Sequence, residues 1–431
     1  MTFTIEEHVQ QGYTKIMKQT GGPFVMKWWG LDYVFLPPRY LVDLKRSDEK
    51  SLSFLENISQ AFSLHASAGD IYSSDLMINV VRHGINKRFA KLVPLLHDEC
   101  NFAFSQEIGD VPDWAPFRAS ATLSSIMHRT TSRVLAGSDL CRDERFLKTS
   151  QVFSESLFIN GLLLTMLPLG PFRRTISRIF SVFHRRNLRK AVDVVLPVVQ
   201  ARLEYFQQID RHSSLQQMDE PLDAIQWSLD LSKYNTKEHN PQNISLLLLH
   251  NLWAGSAAPG GLVTQMVFQI LLQPHYIDPL RAEACKAFDT YGVTDKALSS
   301  MVLMDSFIRE INRMYPTGAI TCARTVMNQN GIRFHDGMFL DQGKRIALPA
   351  LAIQMDPEVF EDAMSFDGFR FSKLAANTPP KSNKEAEQDW GAATVSDTNL
   401  AFGYGKHACS GRFYAVRKAK LVSAPMINGD I

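Results

Sequence analysis

The sequence predicts a mainly α protein that carries small β-sheets. Most of the chain shows apolar residues at helical spacing, whereas strand-like patches are few and short. A chain of 431 residues, of which 45% are hydrophobic, can also bury a large core. We therefore expect either one large domain or two domains of ordinary size.

Six long segments have apolar residues that recur at the spacing of one helix face. These segments are Leu76–Phe104, Ala119–Ala136, Gln151–Met166, Leu188–Gln208, Asn243–Leu272 and Leu298–Met314. Strand-like alternation is confined to Pro23–Leu36, Ile320–Val326 and Lys344–Ala352. The last of these follows an Asp336-Gly337 turn and Gly343, which indicates a β stretch.

Charge and cysteine content exclude several classes of protein. Lys and Arg together number 46 and Asp and Glu 44, so no positive field is available to hold a phosphate backbone, and nucleic acid is not expected as a partner. The 5 cysteines are odd in number and form no CxxC pair, which argues against a disulfide framework or a structural zinc site and favours a reducing compartment. Residues Met1–Gly21 are polar and lack the roughly 20 apolar residues that cross a bilayer.

A glycine-containing loop near the C-terminal end, Phe402–Arg412, carries Cys409. Glycines at Gly403, Gly405 and Gly411 allow backbone turns and the close approach of a flat cofactor, which a Cβ would obstruct. A thiolate that faces backbone amides at a helix N-terminus has a lowered pKa and binds metal readily. For any single cysteine, an inert buried thiol is the alternative interpretation.

The order and spacing of Phe402, Gly403, His407 and Cys409 resemble the haem-binding loop of the cytochrome P-450 family. The resemblance implies that haem b is the cofactor and that Cys409 is the axial ligand of its iron. It also implies that Phe402 packs beside the sulfur and that His407 bonds a haem propionate. A thiolate ligand pushes electron density onto iron and favours O–O cleavage.

Two further motifs resemble the same family. Glu310 and Arg313 share a helix face at i,i+3 spacing, which taken alone indicates only a common ion pair. Downstream, Asp356–Phe360 and Phe366–Phe371 look like the family's meander region, and the resemblance implies that Arg370 completes a buried triad with the other two residues.

Two arginines stand where family members hold the haem propionates. Arg324 follows a strand-like segment, and its alternative interpretation is a surface arginine. Arg82 lies at the position of the family's C-helix arginine, although the tryptophan often found one turn earlier is Ile78 here.

The implied architecture is the mainly α cytochrome P-450 fold, with haem between the long helix Asn243–Leu272 and the Cys409 loop. We expect this domain to cover residues 23–422. Residues 1–22 are expected to lack the membrane anchor usual in the family, and residues 423–431 to be an atypically truncated C-terminus. The stretch Ala136–Glu144 resembles fungal secondary-metabolism members, including the ent-kaurene oxidase group.

The long helix departs from the family where it should cross the distal haem face. Most monooxygenases place an acid or amide and a threonine there, whereas this chain has Ala258 and Pro259. The threonine hydroxyl ordinarily holds the water that delivers protons, so we expect Ser256, Thr264, ordered water or a substrate hydroxyl to replace it. A helix-interior proline costs about 3 kcal/mol, which predicts a kink in the helix at Pro259 over the haem.

The resemblance implies a monooxygenase that takes electrons from NADPH through NADPH-cytochrome P-450 reductase, uses O2 and oxidises an apolar terpenoid, indole or polyketide. Its expected location is the cytosolic face of the endoplasmic reticulum membrane. Peripheral membrane contact through Pro171–Lys190, a basic run interleaved with apolar residues, is a further possibility beside a solvated helix face. The alternatives are a haem-thiolate isomerase, dehydratase or coupling enzyme, and a truncated haem protein with impaired activity.

Overall fold

A computed structural model describes residues 3–28, 30–69, 71–109, 116–166, 172–211, 221–378 and 390–428. Helix dominates these residues and the sheets are small, so the predicted fold class is confirmed. Of the predicted terminal segments, residues 1–2 and 429–431 lie outside the described part of the chain, as does Pro171 at the start of the basic run.

The described α-helices are numbered here in chain order. They are α1 Phe3–Gly12, α2 Lys18–Thr20, α3 Leu41–Arg46, α4 Phe54–Phe62, α5 Leu76–Asn79, α6 Asn86–Glu107, α7 Ala119–Leu135, α8 Ser138–Cys141, α9 Glu144–Met166, α10 Arg173–Phe180, α11 Val182–Arg211, α12 Ala224–Ser232, α13 Pro241–Leu272, α14 Ile277–Tyr291, α15 Asp295–Ser300, α16 Val302–Met314, α17 Ala350–Gln354, α18 Arg370–Asn377 and α19 Arg412–Asn428. Segments Tyr13–Met17 and Val80–Ile85 are π-helical and continue into their neighbours.

Short strands form two sheets within the described residues. The strands are β1 Phe24–Trp28, β2 Leu31–Phe35, β3 Leu52–Ser53, β4 Thr321–Val326, β5 Ile332–Arg333, β6 Phe339–Leu340 and β7 Arg345–Leu348. The larger sheet has the order β1-β2-β7-β4-β3, in which only β2 and β7 run parallel, and β5 pairs with β6 in the smaller one.

The periodic segments became helices with two differences of detail. The predicted helix Leu298–Met314 is divided at Met301, because the Glu283 carboxylate accepts hydrogen bonds from the amides of Leu303 and Met304 and so caps a new helix. The predicted strand Lys344–Ala352 ends at Leu348, since the following proline opens α17.

The described residues fall into two compact units. The first comprises Met1–Ser73, Leu157–Ser181 and Ser306–Cys409. It contains both sheets, and its main core packs side chains of the larger sheet, such as Tyr33, Phe35 and Ile346, against the N-terminal helices.

The second unit is helical and comprises Ser74–Ser156, Val182–Asp305 and Ser410–Ile431. Helix α13 packs here against α7, α11, α12 and α19. Its start is well defined, because Asn240 caps the amide of Asn243 and Pro241 occupies the first turn, where its missing N–H is harmless.

Helix α13 continues through Pro259, so the proline does not divide the helix, and the kink expected there stays a prediction. The Gly255 carbonyl, which loses its helical partner at this proline, accepts a hydrogen bond from Lys418 Nζ. Likewise α19 continues to Asn428, so residues 423–428 extend the helix that follows Cys409. Among the described residues, no helix combines the length and the apolar character needed to cross a membrane.

Candidate active site

The loop that carries Cys409 is held by its own backbone. The amide of Cys409 donates to the carbonyl of Phe402 at 2.7 Å, which closes the loop and leaves the cysteine exposed. Gly403 and Gly405 have φ values of 77° and 70°, a region that L side chains rarely adopt. A Cβ on Gly405 would also lie 2.9 Å from the Cα of Lys45. The loop shape therefore requires glycine at these positions.

His407 lies in the same loop and faces a short polar segment. Its Nδ1 is 3.3 Å from Oε1 of Glu49, and its Nε2 is 3.3 Å from the carbonyl oxygen of Ser47. Burial raises the pKa of Glu49, but hydrogen bonds with His407 and Ser53 and the charges of His407 and Arg324 hold that pKa below its usual value. A role for Glu49 was not predicted, because this residue lies in a charged run of the sequence, which is typical of a solvent-exposed segment.

Arg324 is buried beside this group, with 5% of its surface exposed. A bulge in β4 at Cys322, whose φ is 53°, sets the register that aims Arg324 inward. The guanidinium donates to the carbonyls of Ala323 at 2.7 Å and His407 at 3.3 Å. Burial lowers the pKa of Arg324, while the nearby Cys322 and Glu49 raise it.

The structure brings Glu310, Arg313 and Arg370 together in the first unit. Arg313 donates to both carboxylate oxygens of Glu310 at 2.8 Å, and Arg370 Nε donates to Oε1 at 3.2 Å. The amide of Asp367 adds a further bond at 3.0 Å. Glu310 has no exposed surface, so this triad is a buried, charge-assisted network.

The arginines also tie the triad to the surrounding loops. Arg313 donates to the carbonyls of Gln354 and Ala363, and Arg370 donates to that of Glu361. The two guanidinium groups therefore hold backbone of the first unit that lies before the Cys409 loop in the sequence.

The predicted distal residues lie on α13 in the second unit. Ser256 is buried, and its Oγ has no hydrogen-bond partner among the described residues. Ala258 is half-buried and Pro259 is buried. Thr264 Oγ1 donates to the carbonyl of Gly260 at 2.8 Å, so this hydroxyl is committed to its own helix.

Arg82 is exposed and lies on the π-helical segment Val80–Ile85 of the second unit. Phe402 is half-buried beside the Cys409 amide in the first. The roles of both residues toward a cofactor stay predictions.

The first unit offers features that fit a flat iron-bearing macrocycle with acidic side groups. Cys409 supplies an exposed sulfur on a loop of small residues. Arg324 is a buried cation that forms no ion pair at salt-bridge distance within the described residues, which suits an additional carboxylate. We therefore take the residues present to be compatible with haem.

Comparison with known proteins shows which family this chain resembles. The sequence profile described as Cytochrome P450 matches residues 81–428. Cytochrome P450 monooxygenase sirB of Leptosphaeria maculans is 38% identical over 430 residues, which cover 99% of this chain and 80% of that protein.

More distant relatives are also fungal. Cytochrome P450 monooxygenase BOA4 of Botryotinia fuckeliana is 27% identical over 403 residues, or 92% of this chain and 78% of that protein. Ent-kaurene oxidase of Gibberella intermedia is 27% identical over 427 residues, or 97% and 76% respectively. The chain therefore belongs to the cytochrome P450 family and is an oxidoreductase of the monooxygenase type.

Proposed function

We propose that this monooxygenase oxidises an apolar small molecule in fungal secondary metabolism. The observation that carries the proposal is the Cys409 loop, whose backbone closure leaves the cysteine exposed and whose His407 carbonyl accepts a hydrogen bond from the buried Arg324. A terpenoid substrate is favoured by the similarity to ent-kaurene oxidase, and indoles or polyketides are the other candidate classes.

Each site residue has a proposed task. Cys409 supplies the thiolate ligand, and Phe402 packs beside that sulfur and tunes the iron. His407, Arg324 and Arg82 bind the propionates, for which Arg324 is already desolvated. Haem, when bound, supplies the redox chemistry that joins one oxygen atom of O2 to the substrate and reduces the other to water, using two electrons and two protons.

Proton supply is the task proposed for Ser256. Its hydroxyl is buried and has no protein partner among the described residues, so it can hold a water molecule. Thr264 is less suited, because its hydroxyl already bonds the Gly260 carbonyl. Ala258 and Pro259 carry no polar side-chain atom, so neither side chain can move a proton, and Pro259 lies about one turn from Ser256 on the same helix face.

Electrons are proposed to come from NADPH through NADPH-cytochrome P-450 reductase at the cytosolic face of the endoplasmic reticulum. In the first unit, Phe172 and Ile179 are 67% and 66% exposed and Phe158 is 50% exposed. Exposed aromatic and aliphatic side chains of this size support peripheral contact with a membrane surface.

The test is isotopic. The haem-loaded chain, the reductase and NADPH are incubated under 18O2 with a panel of terpenoids and indoles. We expect a product with one 18O atom and an absolute requirement for NADPH. A product that forms without NADPH or without label would contradict monooxygenation and support the isomerase or dehydratase alternative, to which the missing threonine gives some weight.

Within the same assay, Ser256→Ala should lower the fraction of NADPH recovered as product by about a hundredfold, the low end for loss of a proton-transferring group. Ser245→Ala is the matched control, because Ser245 is buried on the same helix but donates to the Pro241 carbonyl. An unchanged yield in Ser256→Ala would exclude this hydroxyl as the proton donor.

A further inference from the structure

Pro259 creates a defined defect in α13. A proline has no N–H to donate to the carbonyl four residues earlier, and its ring crowds that carbonyl. The carbonyl concerned is that of Gly255, one residue before Ser256. A buried carbonyl without a donor costs about 1–3 kcal/mol, so the helix needs a donor from elsewhere.

Two side chains of neighbouring helices meet this carbonyl. Lys418 Nζ, from α19, lies 3.0 Å from the Gly255 oxygen, and Thr131 Oγ1, from α7, also lies 3.0 Å from it. The glycine at position 255 allows Thr131 to come this close to α13, because a Cβ on Gly255 would lie only 3.0 Å from Cγ2 of Thr131. The single hydroxyl proton of Thr131 has a nearer acceptor, the carbonyl of Met127 at 2.5 Å, so Lys418 is the donor that covers the defect in α13.

Lys418 is fully engaged in this contact. Its Nζ also lies 2.5 Å from Thr131 Oγ1 and 3.4 Å from the Met127 carbonyl, so three acceptors match the three donors of an ammonium group. Lys418 has no exposed surface and forms no salt bridge within the described residues. A buried lysine without a counter-ion is costly, and a methionine would fill the same space more cheaply.

The groups that face Lys418 do not neutralise it. Cys100 on α6 has its pKa raised to about 12 by burial, and burial together with Lys418 and Arg129 lowers the pKa of His128 on α7 to about 4. Both are uncharged near neutral pH, and the ring of Tyr414 lies 5.0 Å from Nζ. Burial lowers the pKa of Lys418 itself to about 7, and both the charged and the neutral amine have N–H groups to donate, so hydrogen bonds to oxygens are what Lys418 supplies here.

We propose that Lys418 is a positioning residue that takes the place of the missing Pro259 amide at the Gly255 carbonyl, while Thr131 accepts a hydrogen bond from its Nζ, and that Lys418 so holds the turn of α13 that presents Ser256. The structural part of this inference is independent of the proposed function. Its consequence for oxidation rests on the proton-supplying role of Ser256.

The test is a double-mutant cycle read by hydrogen exchange on the haem-loaded chain. In Lys418→Met, amides of residues 255–262 should exchange about tenfold faster than in the wild type, the effect of one net hydrogen bond. Pro259→Ala restores an N–H to the Gly255 carbonyl. In the Pro259→Ala background, Lys418→Met should change the exchange rates of the same amides less than twofold, because the backbone donor is present.

Lys420→Met is the matched control. Lys420 is buried two residues further along α19, but it bonds the carbonyls of Leu298 and Met301 and the carboxylate of Asp305. It should show no coupling to Pro259→Ala in residues 255–262. Equal acceleration by Lys418→Met in both backgrounds, or coupling of the same size for Lys420, would overturn the proposal.

A second readout separates positioning from general stability. In the 18O2 assay, Lys418→Met should lower the share of NADPH recovered as product. The same substitution should cause a smaller loss when it is made in a chain that already carries Pro259→Ala. Lys420→Met should leave that share unchanged. If the exchange cycle shows coupling while no labelled product forms in any chain, the proposed function fails and the positioning of α13 stands.

Discussion

A Glu310→Gln chain should lose about 3–5 kcal/mol of its free energy of unfolding. Glu310 is completely buried and accepts hydrogen bonds from Arg313, Arg370 and the amide of Asp367. Glutamine keeps the shape but removes the negative charge, and its amide nitrogen would face donors. The buried guanidinium of Arg313 and the half-buried one of Arg370 would then lack their counter-ion. Urea unfolding followed by circular dichroism measures the loss.

A surface carboxylate of the same unit provides the control. Glu358 is 75% exposed and lies 2.8 Å from Lys18, so Glu358→Gln should change stability by no more than about 1 kcal/mol. If both variants have the same small effect, the triad contributes no more than a surface ion pair, and the structural role assigned to Glu310 is wrong.

Acidification should destabilise the second unit through three buried histidines. Burial lowers the pKa of each of His128, His184 and His250 to about 4. The unfolded chain binds these protons below a pKa of about 6.5, whereas the folded chain keeps the rings neutral until about 4. Stability is therefore complete above pH 6.5 and declines as the pH falls toward 4, by about 3 kcal/mol for each ring.

His250→Leu isolates one of these contributions. His250 is buried, packs against Phe153 and hydrogen-bonds the Leu246 carbonyl of its own helix, and leucine has a similar size, so it should fit the site. The acid-induced loss between pH 7 and pH 4 should shrink by about 3 kcal/mol relative to the wild type. His65→Gln is the control, because His65 is 57% exposed. If the free energy of unfolding of His250→Leu and of the wild type changed with pH in parallel, burial would not be what lowers the pKa of His250.

The sequence predicted the fold class and most long helices, because apolar periodicity reports directly which face a helix buries. The resemblance to fungal cytochromes P-450 and to the ent-kaurene oxidase group is confirmed by the comparisons. The division at Met301 was not visible, since it depends on the Glu283 carboxylate from another helix. Local pattern carries no information about such a cap.

Contacts between distant segments explain what the sequence could not show. The continuity of α13 through Pro259 depends on Lys418, which lies 159 residues further along the chain (418 − 259). In the sequence, Lys418 is one of several cations in a helical segment, and nothing in the local pattern indicates that it is buried. Glu49 was missed for the same reason, because only the fold brings it to His407.

The absorption spectrum of a Cys409→Ser chain after haem loading, reduction and exposure to carbon monoxide shows directly whether this cysteine holds the iron. We expect the wild type to show the red-shifted Soret band of a thiolate-ligated ferrous-CO complex and Cys409→Ser to lose it. Cys285→Ser, at another exposed cysteine, should leave the band in place. A Cys409→Ser chain that binds haem with the wild-type spectrum would show that another residue holds the iron.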